Sequence, residues 1–134
     1  MRGSPREQEN RSYTATEEVT PEKTAKAVGS GELEVYATPA MLALMEKAAT
    51  ACLAPLLKEG ETSVGAQIGS THLSPSPLGA TVRATATLLS FDGRTARFAV
   101  TAEDDFGKIG KGEHTRAVVG AQRFLQRMRE KKPL

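Results

Sequence analysis

The sequence contains no tryptophan, and aromatic residues make up only 4% of its 134 residues. Its hydrophobic residues, 39% of the total, are therefore mainly leucine, valine, alanine and methionine. A chain of this length has room for one domain, and a core without large rings is thin for a lone monomer. We expect a second copy to cover part of the apolar surface, which predicts a homodimer or a dimer of dimers.

Cysteine is also scarce, because Cys52 is the only one, and this excludes a disulfide within the chain. Cys52 lies among small and aliphatic residues, which predicts a core position. No run is long and apolar enough to span a membrane, and the first ten residues are polar without a hydrophobic signal segment. We therefore expect a cytoplasmic protein that does not bind a membrane.

Several sequence signatures of chemistry are missing as well. The chain has no phosphate-binding glycine loop, no Gly-x-Ser-x-Gly elbow around a nucleophilic serine and no cluster of metal-ligating residues. These absences argue against a nucleotide-binding loop of the P-loop kind and against a serine hydrolase of the elbow type. We expect no metal ion in the protein.

Charge is nearly balanced at +2, but the basic residues are concentrated at the C-terminal end. Residues 120–134 carry five basic residues against one acidic residue, a net of +4, which leaves −2 for residues 1–119. Such a segment can bind nucleic acid or an anionic cofactor, or it can form the solvated face of a terminal helix. The density of cations is low for a nucleic-acid protein, so we expect no nucleic-acid partner.

The N-terminal part of the chain predicts a disordered lead-in followed by a weak strand and a short helix. Residues 1–11 are charged and lack periodicity, which predicts a disordered lead-in before a single domain at residues 12–134. Loose alternation predicts a first strand from Ser12 to Val19. Thr20 followed by Pro21 then predicts the start of a short helix, which should end near Val28 because Gly29-Ser30-Gly31 follows.

The clearest helix is predicted to begin at Thr38, as the N-cap, and to run to Ala54, just before the breaker Pro55. From residue 63 to residue 120, alternating apolar positions predict strands, with a hairpin turn at Asp92-Gly93 in which both central residues need a positive φ. Residues 120–131 predict an amphipathic terminal helix. Together these elements predict an α+β fold in which an antiparallel sheet wraps around one long central helix.

Three polar residues in apolar surroundings are candidates for chemistry. Glu46 lies in the middle of the long helix, where a carboxylate is costly unless it is paired, although it could instead share a solvent-exposed stripe with Lys47. His72 lies on a predicted strand and is either structural or a general base. The hydroxyl of Thr38 is expected to cap the helix, whose N-terminus can stabilise a carbonyl oxygen that gains negative charge.

Two further positions complete the set of candidates. Gly65 has no side chain, so any role rests on a close approach of the backbone or on a β-bulge. Arg116 shares a strand face with His114, two residues away, and it either binds a polar group of a substrate or lies on the surface.

Taken together, these residues resemble the hotdog-fold thioesterases related to fluoroacetyl-CoA thioesterase. The resemblance extends from about residue 19 to residue 124 and is carried by residues 37–49, 54–56, 60–65, 71–73 and 109–116. In such enzymes a threonine at the helix start, a glutamate eight residues later and a histidine twenty-six residues beyond it form the catalytic group. Thr38, Glu46 and His72 match both spacings. Gly65 and Arg116 match a glycine and an arginine that line the substrate site.

The resemblance implies a hotdog-fold enzyme that hydrolyses a short or small acyl-CoA to CoA and a carboxylate, with CoA as part of the substrate and no separate cofactor. It implies either that His72 activates water with help from Glu46, or that Glu46 attacks directly and forms an anhydride. A non-catalytic acyl-CoA-binding hotdog protein and a hotdog enoyl-thioester hydratase are the alternatives.

The sequence departs from the resemblance at the entrance to the site. The fluoroacetyl-selective enzyme has aromatic residues just before its catalytic threonine, and these form a lid over the acyl group. Here residues 29–36 contain no phenylalanine and begin with Gly29, Ser30 and Gly31. We therefore expect a broader choice of acyl groups.

Overall fold

A computed structural model describes Gln8 and residues 10–133. The predicted lead-in at residues 1–11 therefore lies mostly outside the described residues. The N–H of Asn10 donates to the Leu88 carbonyl at 2.9 Å, and Nε of Arg11 donates to the Cys52 carbonyl at 3.0 Å. Asn10 and Arg11, which belong to the predicted lead-in, are therefore held against the strand that contains Leu88 and against the long helix.

Five antiparallel strands form one sheet with the order β1-β3-β4-β5-β2, so β1 and β2 are its edges. The strands are β1 (Ser12–Glu18), β2 (Glu61–His72), β3 (Thr81–Phe91), β4 (Thr95–Asp104) and β5 (Gly107–Gly120). The sheet is accompanied by the α-helices α1 (Ala25–Val28), α2 (Thr38–Leu53) and α3 (Ala121–Arg129), and short 3₁₀ turns cover Pro21–Lys23 and Ala54–Leu56. The predicted α+β architecture, a sheet around a long helix, is confirmed.

Helix α2 packs against one face of the sheet because its apolar residues recur at helical spacing. Its buried residues are Met41, Leu44, Met45, Ala48, Ala49, Cys52 and Leu53. They pack against the alternate residues of the central strands that face inward, such as Val82, Ala84 and Phe98. The core position predicted for Cys52 is thereby confirmed.

The first turn of α2 differs from the prediction. Ala37, with φ −74° and ψ 138°, occupies the N-cap, and Thr38 is already helical. The prediction that the Thr38 hydroxyl caps the helix is therefore wrong. Proline is tolerated at position 39 because it lacks an N–H, and an N–H in the first turn of a helix has no acceptor within the helix.

Two short segments also differ in detail. The predicted helix after Thr20 is split into a 3₁₀ turn and α1, because the Thr24 hydroxyl accepts from the N–H of Ala27 and starts a new helix. In the turn between β3 and β4, all of whose residues are described, Gly93 has a positive φ of 94° but Asp92 does not. The prediction that both residues have a positive φ is therefore wrong. Oδ1 of Asp92 instead accepts from the N–H groups of Arg94 and Thr95, at 2.9 and 2.8 Å, and closes a three-residue turn.

Helix α3 is amphipathic, as predicted, but it has no buried residue. Leu125 and Met128 are 55% and 50% exposed on its apolar side. Within the described part of the chain, no helix has the length and apolar character needed to cross a membrane.

Candidate active site

Thr38 and His72 meet at the point where α2 begins and β2 ends. Oγ1 of Thr38 lies 2.7 Å from Nδ1 of His72, and the ring tautomer decides which atom donates. Because Ala37 takes the cap position, the Thr38 hydroxyl is free to make this contact. Thr38 and His72, two candidates from the sequence that lie thirty-four positions apart, are therefore hydrogen-bonded.

The environment of His72 favours a neutral ring. Burial lowers the pKa of His72, and a weaker interaction with the Ser74 backbone opposes this. Nε2 of the same ring is buried and makes no hydrogen bond to any described residue. A neutral imidazole near pH 7 has a nitrogen available to accept a proton, which a general base requires.

A cavity of about 310 Å³ opens beside the Thr38–His72 pair. Its walls come from Ser30, Val35 and Tyr36 on one side and from residues 73–75 on the other. Tyr36 is 2% exposed, and its hydroxyl donates to Oε2 of Glu17 at 2.5 Å, so its ring is fixed in the wall. The cavity is therefore a place where a small acyl group can lie next to the pair.

Glu46 lies in a second group of residues, farther along α2. Its Oε2 is 3.4 Å from Nη1 of Arg116 and 3.9 Å from Nε2 of His114. A Cβ added to Gly65 would lie 2.5 Å from the same carboxylate oxygen, and a β-bulge interrupts the register between Gly65 and Gln67. Both roles considered for Gly65, a bulge and a close approach, are thus present.

Arg116 is a buried residue, 6% exposed, rather than a surface arginine. Its Nε donates to Oγ of Ser63 at 2.8 Å and its Nη2 donates to the Ser63 carbonyl at 3.0 Å. Burial lowers the pKa of Arg116, and Glu46 opposes that shift. The guanidinium is therefore placed to hold the Glu46 carboxylate, whose side chain is 41% exposed.

His114 is a member of this second group that the sequence did not identify as a candidate. Its Nδ1 lies 2.7 Å from the Gln67 carbonyl, which can only accept, so Nδ1 carries the proton. Its Nε2 then accepts from Nη1 of Arg116 at 3.2 Å. Burial lowers the pKa of His114, in agreement with a neutral ring. The sequence signal that could have identified His114 is the alternation of β5, which puts it on the same face of the strand as Arg116.

One chain does not bring the two groups together. We call them the Thr38–His72 pair and the Glu46 cluster, the latter comprising Glu46, Gly65, His114 and Arg116. Thr38 and Glu46 are separated by two helical turns, about 12 Å of rise. Gly65 and His72 lie seven residues apart on β2, about 23 Å along an extended strand. The five predicted site residues therefore form two separate parts within a single chain.

Known proteins share both the sequence pattern and this architecture. The sequence model of the family described as fluoroacetyl-CoA-specific thioesterase matches residues 19–122. The fluoroacetyl-CoA thioesterase of Streptantibioticus cattleyicolor is 43% identical over 100 residues, which cover 75% of this chain and 72% of that protein.

Solved structures agree with the sequence match. A fluoroacetyl-CoA thioesterase structure has a TM-score of 0.86 and 37% identity, over 92% of this chain and 96% of that chain. A thioesterase superfamily member from Thermus thermophilus has a TM-score of 0.84 and 29% identity, over 97% and 96% of the two chains. A hot-dog-like protein from Thermanaerovibrio acidaminovorans has a TM-score of 0.84 and 26% identity, over 94% and 93%. The predicted hotdog fold is confirmed, and the chain belongs to the family of fluoroacetyl-CoA-specific thioesterases.

Proposed function

We propose that this protein is an acyl-CoA thioesterase that hydrolyses a short or small acyl-CoA to CoA and a carboxylate. The observation that carries the proposal is the hydrogen bond between Thr38 and His72 at the edge of a small cavity. A hydroxyl, a neutral imidazole and a helix N-terminus there suit the attack of water on a thioester carbonyl. The relative from Streptantibioticus cattleyicolor is a thioesterase, and a variant of a fluoroacetyl-CoA thioesterase was crystallised with fluoroacetate and CoA.

A homodimer would complete the site by joining the two parts. Edge strand β2 carries Gly65 of the Glu46 cluster near one end and His72 at the other, with Gly69 near the middle. Antiparallel pairing of two copies of β2 about a two-fold axis at Gly69, together with the β-bulge between Gly65 and Gln67, would place Gly65 next to the partner subunit's His72. Glu46 of each subunit would then face the Thr38–His72 pair of the other.

In this arrangement the hydrolysis needs water as its only co-substrate. The Thr38 hydroxyl and the backbone N–H groups of the first turn of α2 hold the thioester oxygen as it gains charge. His72 accepts a proton from water as the water oxygen bonds to the carbonyl carbon. Collapse of the adduct breaks the carbon–sulfur bond, and the proton passes to the departing CoA thiolate.

The Glu46 cluster supplies negative charge on the other side of the substrate. The carboxylate would stabilise the imidazolium that forms on His72, with Arg116 holding it in place and His114 holding Arg116. The alternative is that Glu46 attacks the carbonyl carbon itself, and water then hydrolyses the resulting anhydride. Label found in Glu46 after a single turnover in ¹⁸O-labelled water would establish direct attack, because a carboxylate that only assists His72 does not exchange its oxygens. Trapping of an acylated Glu46 by hydroxylamine detects the anhydride whichever of its carbonyl carbons water attacks.

The acyl cavity favours a broader substrate choice than that of a fluoroacetyl-selective enzyme. Tyr36 is the only aromatic residue between residues 29 and 36, and its bond to Glu17 keeps its ring in the wall instead of over the cavity. Losing one well-placed apolar contact reduces discrimination by about tens-fold. We expect acetyl-CoA and somewhat larger acyl-CoAs to match or exceed fluoroacetyl-CoA in kcat/KM.

A free-thiol release assay over a panel of acyl-CoAs tests the function. Release of CoA supports a thioesterase, binding without release supports a non-catalytic acyl-CoA protein, and hydration of an enoyl-CoA without release supports a hydratase. A strong preference for fluoroacetyl-CoA would contradict the selectivity argument alone. The single cysteine, buried and without a disulfide partner, favours the reducing cytoplasm as the location of this activity.

A further inference from the structure

A second cavity, of about 490 Å³, lies between the start of β4, the end of β5 and helix α3. Three arginines line it: Arg94 from the β3–β4 turn, and Arg123 and Arg127 from α3. Phe124 and Val118 add apolar surface to the same cavity. We call this cavity the arginine cleft.

No carboxylate of a described residue forms a salt bridge with any of the three guanidinium groups. Among the described residues, none of the three makes a side-chain hydrogen bond or a salt bridge. Arg123 and Arg127 are four residues apart on one helix, where like charges repel, and Arg94 adds a third charge from the β3–β4 turn. Asp92 is the carboxylate that Arg94 influences, but its Oδ1 already accepts from two backbone N–H groups of the turn. An anion in the cleft would relieve this repulsion.

The position of the cleft connects it to the proposed active site. Residues 117–120 line the cleft, and they directly follow Arg116, which holds Glu46. In the dimer that the proposed function requires, a thioester at the Thr38–His72 pair of one subunit lies against the Glu46 cluster of its partner. The partner's arginine cleft then begins next to that thioester, along β5.

We propose that the arginine cleft binds the phosphate groups of the CoA part of the substrate, an inference that rests on the proposed thioesterase function. Guanidinium groups bind phosphate oxygens through paired, charge-assisted hydrogen bonds, and the polyanionic end of CoA supplies several such oxygens. Phe124 offers an aromatic face against which the adenine ring can pack. Binding of these phosphates would also explain the excess of basic residues in the C-terminal segment.

The test compares two substrates that differ in their phosphates, acetyl-CoA and S-acetylpantetheine, which has none. In the double variant Arg123→Gln/Arg127→Gln, KM for acetyl-CoA should rise about tenfold or more, since each charge-assisted hydrogen bond is worth roughly that factor. Hydrolysis of S-acetylpantetheine should keep the kinetics of the unchanged protein. Arg129→Gln removes the same charge from the same helix outside the cleft, and it should leave KM for acetyl-CoA within about twofold.

Equal losses on both substrates would overturn the proposal, as would an unchanged KM for acetyl-CoA or an equal effect of Arg129→Gln. Calorimetric binding of CoA and of pantetheine separates this result from a failure of the proposed function. If no thioester is hydrolysed but the double variant weakens the binding of CoA and not that of pantetheine, the cleft proposal is supported and the proposed thioesterase function is wrong. If the double variant binds CoA as the unchanged protein does, the cleft proposal is wrong whatever the activity.

Discussion

Two inactive variants should restore activity in each other's presence if each site combines both subunits. His72→Ala removes the base and should lower kcat by about 10²–10⁴ in its own homodimer, the usual range for general acid–base catalysis. Glu46→Gln removes the charge but not the shape, and we expect a severe loss there too. In a heterodimer of the two variants, one site combines the intact His72 of one chain with the intact Glu46 of the other, and the second site has neither.

The heterodimer should therefore show about half of the wild-type kcat per dimer, because one of its two equivalent sites is intact. Co-expression with two different affinity tags and tandem purification yields it free of both homodimers. The matched control pairs Thr38→Ala with His72→Ala, since these residues bond within one chain and every site of that heterodimer carries a defect. Recovery in the control, or none in the test pair, would refute the composite site.

Three further results follow from the site. Gly65→Ala should cut kcat by about tenfold or more, because its Cβ would lie 2.5 Å from Oε2 of Glu46 and displace the carboxylate. His114→Phe should lower both kcat and the free energy of unfolding, the latter by about 1–3 kcal/mol in chemical denaturation, because a buried hydrogen bond of Arg116 is lost. Burial lowers the pKa of His72 below its ordinary 6.5, and the neutral ring is the base. The kcat/KM profile should therefore fall as pH drops through a midpoint below 6.5.

Matched variants separate these effects from general damage to the fold. Gly120→Ala adds the same carbon at the end of β5, where φ is −74° and no atom lies within 4 Å of the added carbon, and it should keep near wild-type kcat. The acid limb should persist in His114→Phe if His72 causes it. Loss of that limb in His114→Phe would assign it to His114 instead, whose pKa burial also lowers.

The sequence predicted most of the elements because their signals are local. The period of two in β3 and β4 and the apolar surface of α2 depend only on residues near each other in the chain. The N-cap was mistaken for the same reason. The preference of threonine for a cap position is a local tendency. In the structure the Thr38 hydroxyl instead forms a hydrogen bond with His72, at the far end of β2, and a local pattern does not predict this contact.

Local sequence patterns do not predict that Arg116 is buried. Its burial depends on the register that pairs it with Gly65 across β2 and β5, and on the missing side chain at Gly65. Pairing between strands some fifty residues apart is set by the whole sheet. A resemblance in residue type and spacing can therefore name Glu46, Gly65 and Arg116 as site residues without revealing that His114 and Ser63 hold them together.

The composition of β2 links catalysis to assembly. An exposed edge strand normally carries charged residues or proline that discourage pairing with another chain. Across its twelve residues, β2 has no proline and no lysine or arginine, and its one carboxylate, Glu61, is the first residue. Such an edge is typical of a strand that a partner covers. Because the same strand holds His72 at one end and Gly65 toward the other, covering this edge with a second copy would protect it and complete two active sites at once. We therefore expect activity to depend on the pairing of two copies through β2, so that dilution below the dissociation constant of that pair should abolish hydrolysis.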